Sequence, residues 1–138
     1  MNKIEPGTWI RHGNPAAGYA AMTTDPTLVT DGIPVDPEGD NVFATVRIKH
    51  TAAAARSFDI KIFGYIPQVY TVSGGTLAAV GSSAAWLHLT TFTYPTGSTN
   101  EDDAHFLRGL GGFTRLAAKI ENAVGTPTVL VDFCLNRA

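Results

Sequence analysis

The amino-acid sequence predicts an all-β protein, an antiparallel β-sandwich or jelly-roll-like domain with an extended N-terminal arm. Three observations lead there. From Asn41 onward, apolar and polar residues alternate with period 2 in segment after segment. Gly, Pro and Thr turns separate those segments, and the helical patterns of about 10 to 15 residues that an α/β fold needs between its strands are missing. No repeat recurs at a fixed period, which argues against a propeller or β-helix.

Residues 1–40 read as the arm. They hold Pro6, Pro15, Pro26, Pro34 and Pro37 with Gly7, Gly13, Gly18, Gly32 and Gly39, residues that remove a donor or lower strand and helix propensity. Short edge strands are expected only around Thr8–His12 and Thr27–Thr30. The arm nevertheless carries Trp9, Ile10, Tyr19, Leu28 and Val29, which a purely solvated tail has little reason to keep. These five are the candidate interface anchors, with the arm mobile in the free protein and ordered on a partner.

Residues 41–138 read as the sandwich. Val42, Ala44, Val46 and Ile48 alternate with Phe43, Thr45, Arg47 and Lys49; Phe58, Ile60 and Ile62 face away from Asp59 and Lys61. Residues 51–56 are too short for a stable helix and read as a hairpin loop. Gln68–Val72, ended by Gly74-Gly75, and the Thr- and aromatic-rich Ala85–Tyr94 follow as strands. Ser98–Gly109 is the one expected helical turn, with Asn100 as cap, Glu101, Asp102 and Asp103 in the first turn and Gly109 as stop. Two strands close the chain, Phe113–Val124 with Leu116, Ala118 and Ile120 on one face, and Thr128–Asn136 with Val129, Val131, Phe133 and Leu135. The short Gly125-Thr126-Pro127 turn between them implies an antiparallel hairpin.

Composition excludes several function classes. The 138 residues are 44% hydrophobic and only 16% charged, enough for one core without staples and unlike a solvated disordered chain. A net charge of −2 provides no basic field for nucleic acid. No apolar run is long enough to span a bilayer, and residues 1–6 lead into no signal-type stretch, so no export signal is expected. One cysteine, Cys134, allows neither an internal disulfide nor a multi-Cys metal site.

No motif carries catalysis. His12, His50, His88 and His105 show no metal-ligand spacing, and Gly81-Ser82-Ser83 lacks the second glycine of a nucleophile elbow. Gly109-Leu110-Gly111-Gly112 precedes a strand, whereas phosphate cradling needs a helix N-terminus. Asp36, Glu38 and Asp40 alternate as ligands to calcium would, but the spacing misses the EF-hand loop and solvated turn acids explain them. Glu101-Asp102-Asp103 with His105 is explained as a helix start. Cys134 reads as a structural thiol. No enzyme activity, cofactor or metal is expected.

The stretch from Phe106 to Val131 joins a glycine-aromatic bend at Gly111-Gly112-Phe113, the strand Arg115-Leu116-Ala117-Ala118-Lys119-Ile120, a Val124-Gly125-Thr126 turn and the strand Val129-Leu130-Val131. In style it resembles the small β-sandwich proteins of tailed-phage virions, in particular head decoration or cement proteins, and the segments Phe58–Tyr65 and Trp86–Thr93 suit the same plan. The resemblance covers residues 41–138. It implies a protein on the capsid surface that glues adjacent capsomers, a homotrimer with the major capsid protein as partner. The low charge of the strand faces points to surface covered in an assembly. The competing expectation is a carbohydrate- or receptor-binding module of a phage tail, with Tyr65, Tyr70, Trp86, Phe92 and Tyr94 as stacking platforms.

Overall fold

The computed structural model describes residues 7–12, 23–35, 41–50, 56–97, 102–110, 112–125 and 127–137, the side chains of 41–43, 136 and 137 excepted. Ten strands account for nearly all regular structure: β1 (Trp9–Arg11), β2 (Ile33–Pro34), β3 (Asn41–His50), β4 (Ser57–Ile66), β5 (Tyr70–Ser73), β6 (Thr76–Ala79), β7 (Ala85–Tyr94), β8 (Asp102–Arg108), β9 (Arg115–Val124) and β10 (Val129–Arg137). One sheet runs β1-β10-β3-β8 and the second β2-β9-β4-β7, all antiparallel, while β5 and β6 pair only with each other. With the β5–β6 hairpin set aside as an insertion, this order is that of a jelly roll, two interlocked Greek keys.

The alternation read from the sequence places the core. Ala44, Val46 and Ile48 of β3 meet Val129, Val131, Phe133 and Leu135 of β10, all buried. Phe58, Ile60 and Ile62 of β4 with Leu116, Ala118 and Ile120 of β9 supply the facing layer. The opposite faces carry the polar and half-exposed side chains such as Thr45, Arg47, Asp59 and Lys61.

Three expectations need correction. The helix over Ser98–Gly109 does not form in the described part: Asp102–Arg108 is β8, paired with β3 from Phe43↔Arg108 to Lys49↔Asp102. An isolated turn of helix is marginal in water, whereas the strand buries Leu107 and sets Asp102 against Arg47 at 2.6 Å. The β9–β10 connection is not a hairpin, since β9 lies in one sheet and β10 in the other. The same holds for β3 and β4 across residues 51–56. Facing sheets are only about 10 Å apart, so a loop of hairpin length also suffices to cross between them.

Residues 7–12 and 23–35 contribute to the sandwich itself. β1 pairs with β10 and β2 with β9, at the edges of opposite sheets, and His12, Ile33 and Val35 are buried. The expected piece at Thr27–Thr30 is instead a bend leading into a 3-10 turn at Val29–Asp31. Thr23–Gly32 forms a strap over the outer face of the second sheet. Lys119 Nζ meets Asp25 at 2.8 Å, Trp86 Nε1 donates to the Leu28 carbonyl at 3.1 Å, and Arg115 donates to the Gly32 carbonyl at 3.1 Å. Pro26 is buried in this strap. Phe63 and Ala117, register partners on the outward face, are only 8% and 0% exposed. Phe63 leans on His88 of β7 with ring centroids 5.6 Å apart. Tyr65 leans on Trp86 with ring centroids 5.1 Å apart.

Candidate interaction surfaces

Three features carry chemistry or unsatisfied surface. The first is the outer face of the β1-β10-β3-β8 sheet. Register aligns Trp9, Cys134, Thr45 and Phe106 in one row across the four strands. Two residues along, Arg11, Asp132 and Arg47 form a second row, with Asp102 diagonal to Arg47. Arg11 donates to both carboxylate oxygens of Asp132 at 2.8 and 3.1 Å; Arg47 does the same to Asp102 at 2.7 and 2.6 Å. The bidentate forks fix each guanidinium plane, and hydrogen bonding to Arg47 holds the Asp102 carboxyl below its ordinary range. Trp9, Arg11, Arg47 and Asp132 line a shallow trough. Trp9 is 52% exposed on one side and Phe106 71% on the other.

The second is a polar knot where β7 and β8 meet at the open side of the sandwich. The Tyr94 hydroxyl donates to Asp103 at 3.0 Å and lies 3.1 Å from His105 Nε2, itself 3.0 Å from the same carboxylate oxygen. Phe92 stacks on the His105 ring at 3.9 Å. Burial, with the neighbouring carboxylate second, pushes the Tyr94 phenol well above its ordinary pKa, so it is a proton donor here and not a base. Beside it His50 is wedged against the Phe58 and Tyr94 rings, and its Nε2 has no hydrogen-bond partner among the described residues. Asp102 and Asp103 therefore serve strand pairing and this edge seal in place of a helix start. Among the described residues no three His, Cys, Asp or Glu side chains converge on a metal-sized site.

The third is the β5–β6 hairpin, where every residue from Val69 to Ser82 is exposed. Its base is well tied: Ser83 Oγ accepts from the Val69 amide at 2.7 Å and from Gln68 Nε2 at 3.0 Å, and Val80 N donates to the Val69 carbonyl at 2.9 Å. Register puts Tyr70, Val72, Leu77 and Ala79 on one face and Thr71, Ser73, Thr76 and Ala78 on the other.

The candidate anchors divide among these surfaces. Trp9 flanks the trough, Leu28 and Val29 stand exposed on the strap, and Ile10 turns inward against the core. Tyr19 lies outside the described residues, as do Asp36, Glu38 and Asp40. Of the proposed stacking aromatics, Tyr94 is buried, Phe92 is taken up by His105, and Trp86 and Tyr65 lie beside the strap; Tyr70 alone is open. Phe106 was missed because a helical reading hid its place on a sheet face. The hydrophobic alternation Asp103-Ala104-His105-Phe106-Leu107 was the available signal.

Comparison with known proteins gives no match: no family model, curated protein or solved structure is significantly similar to the chain.

Proposed function

We propose that this chain is a structural virion protein, a capsid decoration or cement protein of a tailed phage. It sits on the capsid surface as a homo-oligomer, a trimer being favoured, and stabilises the shell of the major capsid protein. The observation that carries the reading is the charge gap on the exterior: no Asp, Glu, Lys or Arg occurs between Lys61 and Glu101. That gap contains the exposed hairpin and the ten-residue edge strand β7. Edge strands of solitary proteins are guarded by charge, proline or short length. A long uncharged edge beside an exposed apolar hairpin suits a surface that spends its life covered. The jelly-roll order fits the same reading by analogy only, since lectins and cupins share it. The test is co-sedimentation of purified protein with empty phage capsids and with filled ones. Saturable binding at a fixed copy number per capsomer is expected; no binding to either particle removes the reading.

A second reading, a carbohydrate-binding tail module, has one observation in its favour, the Trp9 trough. An exposed indole beside carboxylates and guanidiniums of fixed orientation is a surface on which a sugar ring stacks and hydrogen-bonds. Glycan-array binding that disappears in Trp9→Ala would favour this reading over the first.

A further inference from the structure

The outer face of the β1-β10-β3-β8 sheet carries a charge opposite in sign to that of the whole chain. Register and alternation turn Arg11, Arg47, Lys49 and Arg108 to this face, against two carboxylates, Asp132 and Asp102. Four cations against two anions leave +2 there among the described residues, on a chain whose net charge is −2. Arg11 and Arg47 are committed to the two acids by their forks. Lys49 and Arg108 are exposed and make no ion pair or hydrogen bond among the described residues.

The aromatic side chains set the length of a ligand. Trp9 and Phe106 end one row of this face, with only Cys134 and Thr45 between them, and both rings are more than half exposed. Three strand spacings of about 4.8 Å separate their strands, about 14 Å in all. A single sugar ring does not bridge that distance, whereas an extended chain of several rings laid across the strands does.

The neighbouring row sets the chemistry. The forks leave each guanidinium with N–H groups that can still donate, and the Asp132 and Asp102 oxygens accept. Sugar hydroxyls meet both needs, because each donates and accepts. A DNA backbone has no donor to offer these carboxylates and is repelled by them.

We propose that this face binds an acidic glycan, an extended chain of uronic-acid type lying across the four strands. It stacks on Trp9 at one end and Phe106 at the other, hydrogen-bonds to the Arg11–Asp132–Arg47 row, and meets Lys49 and Arg108 with its carboxylates. The inference rests on the carbohydrate reading of the Trp9 trough and gives that ligand a charge, a length and a direction.

The experiment is isothermal titration calorimetry of the full chain with hexagalacturonate, galacturonic acid, cellohexaose and a single-stranded oligodeoxythymidylate. Hexagalacturonate is expected to bind at least tenfold more tightly than each of the other three, and more weakly as salt rises. Trp9→Ala and Phe106→Ala should each weaken it tenfold or more, with far-UV circular dichroism unchanged and binding recovered in Trp9→Phe. The double variant Lys49→Gln, Arg108→Gln should lose most of the salt dependence. Cellohexaose binding as tightly as hexagalacturonate overturns the charge assignment. Binding that survives Phe106→Ala, with galacturonic acid as tight as its hexamer, overturns the length and leaves a sugar site at Trp9 standing. Tighter binding of the oligonucleotide replaces the glycan with nucleic acid. No binding of any sugar removes this inference and the carbohydrate reading together, and leaves capsid binding to its own test.

Discussion

His12 Nε2 donates a 2.9 Å hydrogen bond to the carbonyl oxygen of Asp31, nineteen residues along the chain. His12 closes β1 at the edge of one sheet, and Asp31 precedes β2 at the edge of the other. The bond therefore links the two edge strands that the first forty residues contribute. His12 also packs edge-on against Phe133 at the centre of the core.

Deleting residues 1–30 is expected to destabilise the sandwich strongly, where the sequence had suggested a dispensable arm. The deletion removes β1, whose Ile10 packs against the core, and most of the strap with its buried Pro26. Each large apolar side chain returned to water costs about 1.5–3 kcal/mol. Urea denaturation should show a loss of several kcal/mol or no cooperative transition. A truncated chain as stable as the full one would mean the strap is not part of the fold.

Phe133→Ala should cost about 3–5 kcal/mol, since Phe133 is wholly buried among both sheets. Phe106→Ala, an aromatic of the same size on the outer face, should change stability by no more than about 0.5 kcal/mol. Chemical denaturation of the two variants side by side checks the assignment of faces on β10 and β8.

Gly32→Ala and Gly64→Ala should both destabilise, by about 1–3 kcal/mol. A Cβ at Gly32 would press on the Trp86 ring and stand 2.6 Å from the Leu116 carbonyl oxygen; at Gly64 it would stand 2.6 Å from the Phe113 ring. The Gly32 variant carries its own reporter, a shift in Trp86 fluorescence, which the Gly64 variant should lack.

Stability should fall on acidification below about pH 4. The Asp31 carboxyl is held below its ordinary range by the amide of Leu28 and then that of Thr27, at 2.7 and 2.8 Å. Lys119 does the same for Asp25, and Lys61 for Glu121. A carboxylate with a depressed folded pKa stabilises the protein above its unfolded value, near pH 4, and loses that contribution as pH drops through the folded value. Thermal unfolding from pH 7 to pH 2 should show the decline, and Asp31→Asn should differ from wild type at pH 7 but converge with it at pH 2. Parallel curves would show that the Asp31 charge is not responsible.

Cys134 should resist modification in the folded protein. It is buried, and burial pushes its thiol above the ordinary pKa, so little reactive thiolate forms. A thiol assay at pH 8 should register one group per chain only after denaturant is added.

The sequence by itself determined the four core strands β3, β4, β9 and β10 and which of their side chains face inward. Period-2 alternation at Ala44-Val46-Ile48, Phe58-Ile60-Ile62, Leu116-Ala118-Ile120 and Val129-Val131-Phe133-Leu135 is a local property, and a strand that must bury one face leaves it legible. Only the tertiary structure decided who pairs with whom. Loops of hairpin length also cross between sheets about 10 Å apart, so β9 and β10 are consecutive in the chain yet lie in opposite layers. It also decided the fate of Asp102–Arg108, whose acids suit a helix start but gain more by meeting Arg47 and Lys49 across β3. The trough follows from the same cause. Trp9, Thr45, Phe106 and Cys134 share a row only because long-range register brings β1, β10, β3 and β8 together. Register is fixed by packing across the whole core, which no local window of sequence contains.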